Sequence, residues 1–117
     1  LSVDPFLALD GIRDCLKACR APIIAVSPLV SGKAVKGPLA KIMCELSIPV
    51  EASSVAKHYS DFLDGFVLDN EDRELESAIV ECGIEAAITN TVMVTIEDRL
   101  RLATDCIGLI RRLGGRP

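Results

Sequence analysis

The chain has 117 residues, half of them hydrophobic, with 3% aromatics, no Trp, and a net charge of -4 from 13 Lys+Arg and 17 Asp+Glu. Acidity and scarce aromatics argue against nucleic-acid binding, which wants a basic field and stacking platforms. No apolar run approaches the roughly 18–20 residues needed to span a bilayer as a helix.

A core without aromatics must be built from Leu, Ile, Val and Ala, which favours layered α/β packing in one domain. The start, LSVDPF, lacks an initiator Met and a signal-type pattern, so a cytoplasmic chain cut from a longer one is expected. Cys15, Cys19, Cys44, Cys82 and Cys106 lie in apolar helical patterns with no C-x-x-C. They read as buried, reduced thiols. Cys15 and Cys19 share a helix face, yet one His and no second thiol pair make a poor zinc set.

Asp4-Pro5 is a helix start, and Leu9, Ile12, Leu16 and Cys19 recur at helical spacing, predicting a helix from about Asp10 to Cys19. Ile23–Ser27 reads as a buried strand. A loop carrying Ser31, Gly32, Lys33, Lys36 and Gly37 follows, then a helix from Pro38 to about Leu46 containing Lys41. A short helix runs from Val55 to about Phe62, with Ser53 or Ser54 as N-cap. Phe66–Leu68 is a short strand ending at Asp69-Asn70. Glu71–Glu81 is a helix closed by Gly83, and Glu85–Thr89 is a strand ending at Asn90-Thr91. The last helix begins at Thr95 or Ile96, with Glu97 and Asp98 at its start and Arg111 and Arg112 at its end, which suits the helix dipole.

Strands alternating with helices imply a parallel sheet covered on both faces, here a partial Rossmann-like, three-layer α/β fold with a short, mostly parallel sheet. Ligands in such folds bind beyond the carboxyl ends of the strands. Those ends are Ser27-Pro28, Asp69-Asn70 and Asn90-Thr91. Glycines allow close backbone approach and lysines supply charge for phosphate, so Ser27, Ser31, Gly32, Lys33, Lys36, Gly37 and Lys41 form a candidate anion-binding loop. It is neither a Walker A loop nor GxGxxG, and a solvated surface loop would read the same way. His58 suits acid–base work or a structural hydrogen bond, and Tyr59 suits packing. Asp61 and Asp64 read as a solvated helix end. Asp69 could hold a metal-bound phosphate or make an Asx turn, and Asn90 and Thr91 are equally open.

Three stretches, AVSPLVSGKAVKGPLAKIM, SVAKHYSDFLDGFVLDNED and TNTVMVTIEDRLRLA, together closely resemble the carboxyl-terminal part of the 2-phospho-L-lactate transferases, over roughly Pro22 to Ala103. DGIRDCLKACRAP is similar to the helix that precedes the loop there. The resemblance implies a Rossmann-like core. It implies transfer of a phospholactyl, or an enolpyruvyl phosphate, group from a guanosine-diphosphate-activated donor to a deazariboflavin, with GMP leaving and magnesium assisting. On that reading the Lys33/Lys36 loop faces the donor's phosphates or guanosine. Family members are longer, and their amino-terminal part carries the glycine-rich nucleotide turn and the residues for metal and acceptor. Residues 1–117 would then be one carboxyl-terminal domain, inactive alone. A non-catalytic nucleotide- or phosphate-binding module regulating a partner, and a ligand-free remnant, are the alternatives. A homodimer is one way to cover the edges and apolar faces of so small a sheet.

Overall fold

The structure, a computed structural model, describes residues 4–34 and 38–114. Two helical segments open it, α1 (Asp4–Leu7) and α2 (Ile12–Ala18). Strand β1 (Ile24–Val26) leads into a small hairpin of β2 (Leu29–Val30) and β3 (Lys33–Ala34). Helices α3 (Leu39–Glu45) and α4 (Ala52–His58) precede β4 (Gly65–Asp69). A 3-10 segment (Asn70–Leu75) kinks at Asp72 into α5 (Glu76–Glu81). Strand β5 (Glu85–Thr89) and the long α6 (Ile96–Leu113) complete it.

The main sheet is parallel, in the order β1-β4-β5. Every residue of the central strand β4 is buried. Successive side chains of a strand point to opposite faces, and the core divides accordingly. Phe66 and Leu68 join Val55, Ala56, Tyr59, Phe62 and Ile79 on one face, with Ala25, Ala86 and Ile88 against them. Val67 turns to the other face and meets Leu102 and Leu109 of α6, with Ile24 and Ala87 beside it. The result is the expected three-layer α/β arrangement, a partial Rossmann-like fold. Gly65 lets β4 pass close under α6: a Cβ there would lie 2.9 Å from Ile24 Cγ2 and 3.0 Å from Leu109 Cδ2.

The predicted elements are present, with local differences. The ligand loop is in part a hairpin, with Leu29 facing Ala34 and Val30 facing Lys33. Pro38 occupies the N-cap position of α3 rather than its first turn. The short helix starts at Ala52, so neither Ser53 nor Ser54 caps it; Glu51 holds that position, and the Ser53 hydroxyl donates to the Glu51 carboxylate. The Glu71–Glu81 helix is split by the kink at Asp72. Gly83 has φ 81°, the left-handed conformation expected after a helix end. Thr95 and Asp98 form a reciprocal capping box at α6. The cysteines are free thiols, but not buried ones: Cys15 and Cys44 are exposed and the other three half-buried. Cys19 sits at the C-cap of α2, one step past the helix that holds Cys15.

Candidate functional site

Among the described residues the buried polar side chains, Ser27, Asp69, Asp72 and Thr91, gather at the carboxyl ends of the three parallel strands. At the end of β1 the Ser27 N–H donates to the Val67 carbonyl at 2.8 Å, carrying the ladder one residue beyond the strand. Its hydroxyl donates to the Leu29 carbonyl (3.0 Å) and accepts from the Leu29 N–H (3.2 Å). Ser27 is therefore buried and committed to the turn that launches the hairpin.

The hairpin turn is Ser31-Gly32, with φ values of 50° and 75°. Positive φ at both central residues matches the twist of a two-residue hairpin, and glycine adopts it without steric cost. A Cβ on Gly32 would also stand 3.2 Å from the Val50 carbonyl oxygen. The Ser31 N–H donates to both carboxylate oxygens of Asp72, at 3.1 and 3.2 Å. The turn is thereby pinned to the kink of the 3-10 segment, 41 residues on. Among the candidate residues, Lys33 lies in β3 and Lys41 in α3; both are exposed, and neither has a side-chain partner among the described residues. Lys36 and Gly37 lie outside the described residues.

Asp69 ends β4 and is 4% exposed. Its carboxylate accepts from the Glu71 N–H at 3.0 Å, the Thr91 N–H at 2.8 Å and the Thr91 hydroxyl at 3.0 Å. The first bond is the Asx turn; the other two fasten the exit of β5 to the exit of β4. Burial pushes the Asp69 pKa up, but the Glu71 and Thr91 donors outweigh it and leave the group below its ordinary value. Asp72 goes the other way. Burial raises it, the Ser31 N–H opposes the rise, and the charges of Asp69, Glu74 and Glu71 add to it. Asn90 Oδ1 accepts from the Val92 N–H in a second Asx turn, and Thr89 donates to Asp105 of α6 at 2.6 Å.

Beside the hairpin turn is an open cleft of about 330 Å³ lined by Ser31, Gly32, Val50, Leu75 and the acids Glu51, Glu71, Asp72 and Glu74. The field in that cleft is negative. The lining of the cleft itself would repel an anion. The helix at Pro38 adds little, since α3 has only seven residues and its N-cap makes no side-chain hydrogen bond. Among the described residues no group of three or more His, Cys, Asp or Glu side chains is placed to hold a metal ion.

His58 and Tyr59 belong to the other end of the sheet. His58 Nε2 lies 3.1 Å from the Asp4 carboxylate, and the Tyr59 hydroxyl donates to it at 3.1 Å. Burial and the Asp4 carboxylate push the Tyr59 hydroxyl up to about 12. Arg13 pairs with Asp61 and stacks over Phe62, while Asp64 accepts from the Ile23 N–H at 2.7 Å. Asp61 and Asp64, expected at a solvated helix end, thus anchor α2 and the start of β1. Sequence reasoning singled out Asp69 and Thr91 as strand-end residues but missed Asp72. Its signal was the acidic run Asp69-Asn70-Glu71-Asp72, in which one carboxylate is tied to a turn far away in sequence.

Comparison with known proteins gives this edge a context. The 2-phospho-L-lactate transferase of Methanosarcina acetivorans is 38% identical over 108 residues, 92% of this chain and 34% of that protein. The 2-phospho-L-lactate transferase of Methanocaldococcus jannaschii is 38% identical over 106 residues, 91% of this chain and 32% of that protein. A phosphoenolpyruvate transferase of Kitasatospora aureofaciens is 27% identical over 114 residues, 97% of this chain and 36% of that protein. No family model matches. The relatives are transferases by name, and no helix among the described residues is long and apolar enough to cross a membrane. By sequence the chain is a relative of the 2-phospho-L-lactate transferases, matching them along nearly its whole length while spanning about a third of theirs.

Proposed function

We propose that the chain is the donor-side portion, carboxyl-terminal by its motifs, of a transferase. The enzyme would move a 2-phospholactyl, or an enolpyruvyl phosphate, group from a guanosine-diphosphate-activated donor to the hydroxyl of 7,8-didemethyl-8-hydroxy-5-deazariboflavin. The observation that carries this reading is the 38% identity along 92% of the chain to a 2-phospho-L-lactate transferase. The similarity to a phosphoenolpyruvate transferase keeps both donor types within the reading.

In this reaction the acceptor oxygen attacks phosphorus, its proton leaves, and the bond from that phosphorus to the GMP oxygen breaks. Such transfers rest on positioning and charge neutralisation. The fold supports the positioning role. Asp69 and Asp72 tie the strand ends and the hairpin into one rigid edge, and Lys33 and Lys41 are exposed, without a side-chain partner among the described residues, and on this reading would meet phosphate oxygens. Magnesium would supply further neutralisation. The described residues do not form a site for it.

The test is calorimetric titration of the chain with GDP and GTP. The wild type should bind, and Lys33→Ala/Lys41→Ala should weaken binding by tenfold or more, since each charge-assisted contact is worth about 1.5–3 kcal/mol. No nucleotide binding by the wild type, or unchanged affinity in the double variant, refutes the donor-side reading. Supplied with acceptor, activated donor and magnesium, the chain alone should show no turnover.

A further inference from the structure

Strand β5 is a free edge of the sheet, and it carries none of the usual guards. Among the described residues it pairs with β4 alone. The Glu85 N–H donates to the Asp64 carbonyl, just before β4. Alternation along a strand then turns the N–H and C=O of Ala86 and Ile88 outward. Free edges are commonly blunted by a lysine, a proline or a bulge. The run Glu85-Ala86-Ala87-Ile88-Thr89 holds neither residue, and its register against β4 is unbroken.

Helix α6 presents an ordered flank beside that edge. Between them is an open hollow of about 660 Å³, apolar where Ala87, Ile88 and Leu109 reach it and lined along α6 by Asp105, Gly108 and Arg112. Asp105 stands at the carboxyl end of β5, where its carboxylate accepts from the Thr89 hydroxyl at 2.6 Å. Arg112 stands at the opposite end, its guanidinium 3.7 Å from the Glu85 carboxylate. Gly108 lies between them, over the middle of the strand. Glycine is, after proline, the poorest helix former, and this one is inside the helix Ile96–Leu113. A Cβ there would meet nothing within 4 Å, so no neighbour among the described residues requires its absence.

We infer that two copies of the chain join at β5 about a two-fold axis, making one continuous sheet. A two-fold interface must be self-complementary, and this one is. With the axis at Ala87 and normal to the sheet, the two β5 strands run antiparallel. Ala86 then exchanges its N–H and C=O bonds with Ile88 of the second copy, and Ile88 with the second copy's Ala86. Ala87 faces itself in a non-hydrogen-bonded pair, whose Cα atoms come within about 4.5 Å, a spacing that a methyl side chain suits. The same axis keeps both α6 helices on one face and sets them antiparallel. The acidic end of each flank thereby meets the basic end of the other, Asp105 opposite the second copy's Arg112. Gly108 comes to the axis, where the missing side chain lets the two flanks close over the hollow. The order of charge along the flank thus selects a second copy as the occupant.

Sedimentation equilibrium of the 117-residue chain should show a concentration-dependent dimer. In the dimer the Ala86 and Ile88 amides should exchange with solvent at least tenfold more slowly than in the monomer. Gly108→Arg, whose side chain has room in the monomer, should raise the dissociation constant at least tenfold without lowering the monomer's melting temperature. Asp105→Arg and Arg112→Asp should each weaken the dimer, and Asp105→Arg/Arg112→Asp should restore it, a rescue that a role confined to one chain would not give. A chain that stays monomeric up to about 1 mM, the weak end of specific association, overturns the inference. So does a dimer that Gly108→Arg leaves intact, or one whose Ala86 and Ile88 amides exchange as fast as the monomer's. Failure of the double charge reversal to recover what the single changes lose overturns it too. A dimer dissociated instead by Leu100→Arg/Ile107→Arg would place the seam on the exposed apolar row of α6 and also overturn it.

Discussion

Asp69→Ala should be the most damaging single change at the carboxyl edge. One carboxylate there serves three donors: the Glu71 N–H, the Thr91 N–H and the Thr91 hydroxyl. Truncation leaves these donors without their acceptor in a buried place. Loss of the cap on the 3-10 segment costs about 1 kcal/mol, and loss of charge-assisted bonds to Thr91 about 1.5–3 kcal/mol. The sum, about 2.5–4 kcal/mol, is a large share of the ~5–15 kcal/mol that holds a domain together. For a chain of this length it should lower the melting temperature by about 10–15 °C. Asp69→Asn separates the contributions. Its amide oxygen can still accept from Thr91, but its NH2 faces the Glu71 N–H, so about 1–2 kcal/mol should go. The pH dependence gives a second readout. The folded-state pKa of Asp69 is below 3.8, so its ionised form stabilises the fold above that value, and the stabilisation is lost as pH falls through the folded pKa. The Asn variant should lack this acid-side loss. Urea unfolding followed by circular dichroism measures both effects. A cost below about 1 kcal/mol for Asp69→Ala would refute the claim that this carboxylate holds the strand ends together.

Gly65→Ala should destabilise by about 1–3 kcal/mol through overpacking, because the new methyl meets Ile24, Leu109 and Leu113 at 2.9–3.1 Å; thermal melting reads this directly, and an unchanged melt would show that α6 can lift off β4 at no cost. Asp72 reverses the sign seen at Asp69. Its folded pKa is above 3.8, so its contribution is fully present below 3.8 and lost as pH rises through the folded pKa. Wild type should therefore lose ground against Asp72→Asn as pH rises above 3.8 and through the folded pKa, and a constant difference in urea unfolding across that rise would contradict the arrangement of Glu71, Glu74 and Asp69 around it.

The central strand was legible because a strand buried on both sides is a short apolar run, and Phe66-Val67-Leu68 is such a run between turn residues; Ile23-Ile24-Ala25-Val26 reads the same way and does form β1, but as an edge strand its residues are half-buried and Val26 is exposed, not buried as expected. The long helix was legible from its capping pattern at Thr95 and Asp98. The β2–β3 hairpin was not. Its strands are two residues each, too short for any period to register, and a Ser-Gly-Lys turn looks the same whether it cradles phosphate or reverses a hairpin. The Ser53/Ser54 cap failed because a serine within the first turn can bond backwards to Glu51 as readily as cap forwards. The ties that define the edge, Ser31 to Asp72 and Thr91 to Asp69, join residues 41 and 22 apart; no local pattern encodes them.

The two aspartates also bear on where a ligand can sit. Asp69 and Asp72 are buried, and their oxygens are already engaged by backbone and hydroxyl donors of the chain itself. Recruiting either to a metal would cost those bonds, and with them the position of the hairpin or of the β5 exit. Their place at the carboxyl edge is the one a catalytic acid would occupy in a doubly wound fold, but their bonding is that of struts. On the proposed reading, the exposed cations that would meet a phosphorylated donor are, among the described residues of the loop and α3, Lys33 and Lys41. The acidic cleft beside the hairpin turn would repel an anion. A phosphate held in that way is neutralised on one side only. On the proposed reading, a transferase using this edge needs its opposing charges and its acceptor site from groups beyond these two lysines and the two strut carboxylates.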